Sequence, residues 1–227
     1  MCIRDSREHC AEFILNIHYA RRWPSISHYF GLFDGPALVG VITYGTPPSS
    51  GLKTGLAGPD YAPQVIELNR LVLTNNRPNE ASFFISRTLK QLPQPKIVVS
   101  FADISAGHNG YVYQASNFIY TGLSAKRNDY KIRGMEHLHG YSINDEFRGR
   151  KNRSEAIREK YGDNFYIQQR PRKHRYIYIL GNRQYKNDVL QALRYEVQEY
   201  PKGDNRPVMT GPPAPETENL DNQIVLF

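Results

Sequence analysis

Six polar side chains lie close together at and after the most strand-like run of the chain. They are Ser100, Asp103, His108, Asn109, Tyr113 and Gln114. The run itself, KIVVSFA at 96–102, is apolar enough to be buried on both faces of a sheet. Because open α/β sheets bind ligands at the carboxyl ends of their strands, we expect a reactive site here. A carboxylate at Asp103 suits the orientation or deprotonation of an amine. The alternative is that it only caps the strand end by bonding loop amides.

A second candidate pair, His18 and Tyr19, ends a helix predicted over 9–19. Histidine titrates near neutral pH and tyrosine donates from a rigid ring, so the pair suits acid–base catalysis or metal binding. The alternative is structural, because a histidine near a helix C-terminus also interacts favourably with the helix dipole.

The strand predicted over 65–74 carries a charged residue that needs a partner. Strict alternation places Glu67, Asn69 and Leu71 on one face and Arg70 on the other. An arginine on an otherwise apolar strand requires an anion, either a substrate phosphate or an internal carboxylate such as Asp103. Both readings remain open at this point.

The positive charge of the chain is concentrated in one region. The formal net charge is +7, and 121–186 contains 16 Lys and Arg residues against 7 Asp and Glu. A basic region on a nearly neutral body predicts a surface for a polyanion such as double-stranded DNA, although it also fits a merely soluble basic segment. The predicted DNA contacts are Lys126, Arg127, Arg148, Arg150, Lys151, Arg170, Arg172, Lys173 and Arg175.

The elements that position these residues alternate between strands and helices. After the first helix we expect a hairpin (29–33 and 38–44), a loop (45–62), a strand (65–74), a helix (78–92), a strand (96–102), a short helix (111–116) and strands at 118–123 and 175–180. This order predicts an α/β fold with a mixed central sheet flanked by helices. We expect one domain over 7–200, with a basic insertion at about 124–172, and a disordered tail at 201–227.

Bulk composition excludes several classes of protein. No run approaches the roughly 18 apolar residues of a membrane span, so we expect a soluble, cytoplasmic protein without membrane contact. Two cysteines at the N-terminus provide neither a core disulfide nor the roughly four ligands of a structural zinc site. Residues 1–6 are similar to translated sequencing adapter; we treat them as a candidate non-native leader and base no inference on them.

Five blocks follow one another along the chain: HYARRWPSISHYFGLF, GVITYGTPP, ELNRLVL, VVSFADISAGHNGYVYQASNFIYTG and RPRKHRYIYILG. In these blocks the sequence resembles the Mom-like phage proteins, from about residue 12 to residue 181. The long block from SFAD to YQA is the most distinctive of the five.

The resemblance implies an enzyme of a GNAT-related, acyltransferase-like fold. It implies transfer of a carbamoylmethyl (methylcarbamoyl) group to the exocyclic amine of adenine in DNA, which protects phage DNA from host restriction, in the host cytoplasm. The active positions that the resemblance implies are His18, Tyr19, Arg70, Ser100, Asp103 and Tyr113, with Arg70 as a substrate-binding residue and the others as catalytic residues. From the residues themselves we add four expected substrate-binding positions, Arg77, His108, Asn109 and Gln114. The resemblance also implies an iron ion, with His18, Tyr19 and Asp103 as conceivable ligands.

One departure from ordinary acetyltransferases concerns the cofactor. Those enzymes hold the CoA pyrophosphate with a glycine-rich turn before a helix, whereas the corresponding junction at 74–81 here, TNNRPNEA, contains no glycine. Arg77 and the helix N-terminus can still hold an anion, but acetyl-CoA is not the expected cofactor. The sequence names neither the small-molecule group donor nor the oligomeric state.

Two other functions fit parts of the sequence. An acetyl-CoA-dependent N-acyltransferase acting on a small amine or a protein fits the fold but not the missing glycine turn. A non-catalytic nucleic-acid-binding module fits the basic region but gives no role to the polar segment from Ser100 to Gln114.

Overall fold

The computed structural model describes residues 2–4, 7–18, 21–75, 77–136 and 140–203. Tyr19 and the tail residues 204–227 lie outside the described residues. The chain divides into two compact units, Met1–Leu123 with Lys173–Phe227, and Ser124–Arg172. We call them the sheet unit and the insertion unit. The region expected as one domain therefore consists of two compact units, and the second occupies the place of the expected basic insertion.

Sixteen strands and helices follow one another along the described chain. They are β1 (Cys2–Arg4), α1 (Arg7–Glu12) continued by a π-helical turn (Phe13–Ile17), β2 (His28–Asp34), β3 (Ala37–Gly45), α2 (Ser50–Ala57), β4 (Val65–Leu73), α3 (Glu80–Leu89), β5 (Lys96–Asp103), α4 (Tyr111–Ala115), β6 (Ile119–Leu123), β7 (Arg127–Ile132), α5 (Gly140–Glu146), α6 (Arg153–Tyr161), β8 (Phe165–Arg170), β9 (Lys173–Leu180) and α7 (Arg183–Ala192).

The sheet unit contains a seven-stranded sheet in the order β1-β2-β3-β4-β5-β9-β6. Neighbouring strands are antiparallel except β4 and β5, which are parallel, so the expected mixed sheet is confirmed. The predicted loop at 45–62 is wrong in part, because it contains α2. Its glycines and serines indicated a loop, but Leu56 and Ala57 are buried in the core, and tertiary packing outweighs the weak local propensity.

Helices cover both faces of this sheet. On one face α3 and α4 pack through Phe84, Ile85 and Val112 against the strands. On the other face two separate apolar clusters form. One joins Leu56 of α2 and Val189 of α7 to the sheet, and the other contains Phe13 and Ile14 of the π-helical turn. The second face, with its interrupted apolar surface, is the one that carries the candidate site.

The insertion unit has a small core of its own. Strands β7 and β8 pair antiparallel, and α5 and α6 pack against one face of this two-stranded ribbon. Its buried side chains are Ile132, Ile143, Phe147, Ile157 and Phe165. Across both units, none of the helices in the described part of the chain is long and apolar enough to cross a membrane.

Candidate active site

Strands β4 and β5 run side by side only at their beginnings. Their parallel register covers three residue pairs and ends with Glu67 opposite Val99; both strands then continue without pairing to each other. Ser100 lies at this fork, fully buried, and its hydroxyl donates to the Leu68 carbonyl at 3.0 Å. A buried hydroxyl bonded between the two strands stabilises the fork and is not exposed to a substrate. The structure thus gives Ser100 a structural contact, and its catalytic role stays a prediction.

A β-bulge at Asn69 changes the faces of β4. In the pairing with β3, Thr43 lies opposite Arg70 and Tyr44 opposite Leu68, so that Asn69 has no register partner. Before the bulge, the even-numbered residues Ile66 and Leu68 point into the core under α3. After it, the odd-numbered residues Leu71 and Leu73 do so. Glu67 and Arg70 share the opposite face. The prediction that they face apart is wrong, because strict alternation fails where a bulge inserts one residue.

The bulge also holds the segment that follows His18. The Asn69 amide donates to the Ser25 carbonyl at 2.8 Å, and the Arg70 guanidinium donates to the Arg22 carbonyl at 2.9 Å. Gly45 is required at this crossing, because a Cβ atom at that position would lie 1.7 Å from the Ser25 carbonyl oxygen. The site thus depends on contacts between residues far apart in sequence.

Asp103, at the end of β5, pairs with Lys173 of β9 and not with Arg70. The two residues are direct register partners, and the Lys173 ammonium lies 2.6 Å from the carboxylate. The other carboxylate oxygen accepts from the Ser105 amide at 3.0 Å and from its hydroxyl at 2.6 Å. Burial alone would raise the pKa of Asp103, but Lys173 and Ser105 together hold that pKa below its ordinary value. Asp103 is therefore a stable anion that positions Lys173.

Two histidines near this pair are held neutral. Burial, reinforced by the charges of Arg70 and Lys173 and by His108, lowers the pKa of His18 to about 3. Burial also lowers the pKa of His108, although the negative charge of Asp103 opposes the shift. At neutral pH both imidazoles are uncharged, so each can donate one hydrogen bond and accept another without adding positive charge to the site.

Glu67 behaves in the opposite way to Asp103. Burial raises the pKa of its carboxyl to about 7, despite the opposing charges of Arg70 and Lys173. Among the described residues no hydrogen bond to its side chain is present, whereas Asp103 has an ammonium, an amide and a hydroxyl. Glu67 therefore changes its protonation state near neutral pH, which is the property expected of a group that exchanges protons.

These six side chains interact electrostatically with one another on one sheet face. We call them the charged cluster: His18, Glu67, Arg70, Asp103, His108 and Lys173. Along β4 this face carries Val65, then Glu67 and Arg70, then Val72. The two valines belong to the two separate apolar clusters, so the charges lie between apolar surroundings, which strengthens their mutual effects.

A sequence profile of the Mom protein family matches residues 4–202, which contain the whole charged cluster. The chain belongs to the Mom protein family. It is 34% identical over 200 residues to the methylcarbamoylase Mom of Escherichia phage Mu, an alignment that covers 82% of this chain and 76% of that relative. The resemblance expected from the five blocks is therefore confirmed.

Other predicted residues of this Mom-family chain lie away from the cluster. Tyr113 is buried on the opposite sheet face, where its ring contacts Phe118 and Tyr176. The Gln114 amide donates to the Asn109 carbonyl and to the Tyr176 hydroxyl at 3.2 and 3.1 Å. These contacts hold the loop after β5 against β9. In this structure Tyr113, Gln114 and the Asn109 carbonyl support this loop, and the catalytic role of Tyr113 and the substrate-binding roles of Asn109 and Gln114 stay predictions.

Arg77 is likewise occupied elsewhere. Its guanidinium lies 2.8 Å from the carboxylate of Asp34, and both side chains are largely exposed. Asp34 ends β2 at the hairpin turn, so Arg77 joins the start of α3 to that turn. The described contacts of Arg77 do not include a member of the charged cluster. Tyr19, another predicted site residue, lies outside the described residues.

The predicted DNA contacts separate into three groups. Lys126, Arg127, Arg148, Arg150 and Lys151 are exposed in the insertion unit. Arg170 and Arg172 of the same unit are half-buried, the first beside Asp129 at 3.6 Å and the second donating to the Ser124 carbonyl at 2.6 Å. The remaining two residues, Lys173 and Arg175, belong to the sheet unit.

Arg175 does not fit a phosphate contact. Only 6% of it is exposed, and its guanidinium donates to the Thr121 hydroxyl at 2.9 Å and to the Thr121 carbonyl at 2.7 Å. The Tyr195 ring lies 3.4 Å below the guanidinium carbon. Arg175 is thus a core cation, and we correct its assignment to a structural one. Lys173, engaged by Asp103, moves from the DNA surface to the charged cluster.

The described residues do not fit the implied iron ion. Both carboxylate oxygens of Asp103 are occupied by Lys173 and Ser105, and a lysine cation at that distance opposes a second cation. Within the described ranges no three His, Cys, Asp or Glu side chains come together as metal ligands. We derive no step through iron.

Sequence reasoning missed Glu67 as a site residue and misplaced Lys173. The signal for Glu67 was a lone acid at the start of an apolar strand, but its meaning depends on the bulge. Lys173 stands in the run RPRKHR, whose charge density indicated a DNA surface, and only the β5–β9 register shows that it faces Asp103.

Proposed function

We propose that the chain transfers a carbamoylmethyl (methylcarbamoyl) group to the exocyclic amine of adenine in DNA. The observation that carries the proposal is the match to the Mom family over residues 4–202, together with the 34% identity to a methylcarbamoylase. The charged cluster supports it, because alkylation of a weakly nucleophilic amine needs both a proton acceptor and cations beside the leaving group.

The transfer requires one bond to form and one to break. The adenine nitrogen forms a bond to the methylene carbon of a carbamoylmethyl donor, and the bond from that carbon to its leaving group breaks with the electron pair going to the leaving group. The adenine nitrogen also loses one proton. Glu67 is the group we assign to accept it, because a base is most effective when its pKa lies near the working pH.

The other members of the cluster suit different roles. His18, with a pKa of about 3, is too weak a base to hold the proton, but its neutral ring can orient the substrate. Asp103 is bound to Lys173 and stays ionised, so it positions that ammonium. Lys173 and Arg70 supply the positive charge that stabilises a leaving group departing with its electrons.

An acyltransferase-like architecture is part of the proposal. Two features support it: the parallel strands β4 and β5 separate after three residue pairs, and β4 carries a bulge beside the fork. Acetyl-CoA is not the donor we propose, since the junction at 74–81 lacks glycine and Arg77 is paired with Asp34. DNA contact is assigned to the exposed cations of the insertion unit, and the place of action is the host cytoplasm, where phage DNA is found.

Mass spectrometry of nucleosides tests the function directly. Plasmid recovered after expression of the wild-type chain should contain a modified deoxyadenosine heavier by one carbamoylmethyl group in place of hydrogen. Glu67→Gln, expressed to the same level, should leave the plasmid unmodified. Unmodified deoxyadenosine after expression of soluble wild-type protein would contradict the proposal. Acetylated protein or small amines in its place would support the N-acyltransferase alternative.

A further inference from the structure

The two strands of the insertion unit form a ribbon whose faces differ in chemistry. The register pairs Ile132 with Phe165 and, two residues along, Tyr130 with Ile167. Ile132 and Phe165 are buried against α5 and α6, and Tyr130 packs beside them. The helices cover this face at Ile132 and Phe165, whereas Ile167, further along, is half exposed.

The opposite face is polar along its whole length. Alternation from the same register assigns it three residue pairs, Lys131 with Tyr166, Asp129 with Gln168, and Arg127 with Arg170. Arg127 and Gln168 are exposed, and the carboxylate of Asp129 lies 3.6 Å from the Arg170 guanidinium, which offsets its charge. None of these six side chains belongs to the apolar core of the unit. We call this surface the ribbon face.

We propose that the ribbon face enters the major groove of DNA and that Gln168 reads a base edge there, so that it contributes to the sequence preference of the modification. This inference rests on the proposed function for its partner. The major groove, about 12 Å wide, admits a two-stranded ribbon, and the arginine and lysine side chains complement the charge of its phosphates. Glutamine pairs with the N6 and N7 atoms of adenine, and arginine with O6 and N7 of guanine, so the ribbon face carries the groups that read base edges.

The charge of the insertion unit agrees with this partner. Residues 124–172 contain 12 Lys and Arg residues and 7 Asp and Glu residues. Exposed Lys126, Arg148, Arg150 and Lys151 lie outside the ribbon strands and therefore suit phosphate contacts, which fix position without reading sequence. The ribbon face would then supply what those contacts cannot, a preference among base pairs.

Sequencing of modified plasmid tests the role of Gln168. Gln168→Ala is compared with Gln169→Ala, an exposed glutamine one residue along whose side chain leaves the other face of the strand. Gln168→Ala should relax the base preference beside modified adenines by roughly 5- to 150-fold at one position, the range of a bidentate base contact. Gln169→Ala should keep the wild-type preference. An unchanged preference in Gln168→Ala, with normal total modification, overturns the proposal.

A second measurement does not depend on the chemistry. Dimethyl sulfate methylates guanine N7 in the major groove and adenine N3 in the minor groove, so one reagent reports on both grooves. A duplex saturated with the full-length chain should show protected N7 atoms, and the protection should weaken in an Arg127→Gln, Gln168→Ala double variant. Protection of N3 alone, or bound DNA with fully reactive N7, overturns the groove assignment. If wild-type protein protects N7 but modifies no adenine, the proposed function fails and the ribbon inference survives.

Discussion

Replacement of Glu67 by glutamine should separate catalysis from folding, because we expect it to raise the stability of the protein at pH 8 and to lower its modification activity. Glutamine keeps the shape of the protonated acid but cannot ionise. In the folded protein burial raises the pKa of Glu67 to about 7 from the ordinary 4.5, so the fold prefers the neutral form. Below pH 4.5 the acid is neutral in both the folded and the unfolded chain, and Glu67→Gln should have the stability of the wild type.

Between pH 4.5 and 7 the unfolded chain releases the proton while the folded chain keeps it, so the acid costs more stability with each pH unit. The pKa difference of about 2.5 corresponds to about 3 kcal/mol at pH 8, where the loss is complete. Glu67→Gln should therefore be more stable than the wild type at pH 8 by that amount. At about 2 to 4 °C per kcal/mol, the melting temperature should rise by roughly 6 to 12 °C.

Catalysis should respond in the other direction. Loss of a general base typically costs about 100- to 10,000-fold, so adenine modification by Glu67→Gln at pH 8 should nearly vanish. In the wild type, kcat/KM should rise with pH and level off above an apparent pKa near 7, because only the ionised carboxylate accepts the proton. The variant should lack this rise, and the two proteins should approach one another in rate at pH 5.

Glu80 provides the matched control. It is a buried glutamate in the first turn of α3, on the other side of the sheet, and burial raises its pKa as well. Glu80→Gln should keep full modification activity with its pH profile unchanged. Thermal melting at pH 5 and pH 8 and nucleoside mass spectrometry are the two assays. A Glu67→Gln variant that is less stable at pH 8, or that is folded and fully active, would refute the reasoning.

Three further outcomes are expected. Asp103→Asn removes the carboxylate that pairs with Lys173, so the Lys173 charge should act more strongly on Glu67. The pKa of Glu67 should then fall and the rise in activity should move to lower pH; a shift to higher pH would contradict this electrostatic account. Arg175→Leu removes a buried, hydrogen-bonded cation and should lower the free energy of unfolding by about 2 to 4 kcal/mol without changing the salt dependence of DNA binding. Lys126→Gln should instead reduce the slope of log affinity against log salt concentration by about one unit, as measured by fluorescence anisotropy. Equal slopes in both variants would remove Lys126 from the phosphate contacts. Gly45→Ala should displace the crossing segment and reduce both melting temperature and modification, and a variant equal to the wild type would show that the close approach to the backbone is not needed.

Much of the fold followed from local pattern alone. The hairpin of β2 and β3 was predicted from two apolar runs around an Asp-Gly-Pro turn, and β5 from a run apolar enough to be buried on both faces. Period and turn chemistry are local properties, so the sequence determines them without reference to distant residues. The family was predicted from the five blocks for the same reason, because each block is a run of consecutive residues that can be read without knowledge of the fold.

The identity of the reactive groups was not local. Ser100 and Tyr113 have the right chemistry for catalysis, but the fork and the far sheet face bury them. The run of basic residues predicted DNA contacts at both Lys173 and Arg175. In the folded protein Lys173 instead pairs with Asp103, and Arg175 lies inside the core.

Glu67 shows why such assignments need the tertiary structure. The role proposed for Glu67 depends on the bulge at Asn69, which rotates Arg70 onto its face, and on the β5–β9 register, which brings Lys173 close enough to act on its charge. The sequence determines which side chains are acids, bases and cations. Their protonation states depend on burial and on neighbours more than a hundred residues away, because desolvation and Coulomb interactions act through space and not along the chain.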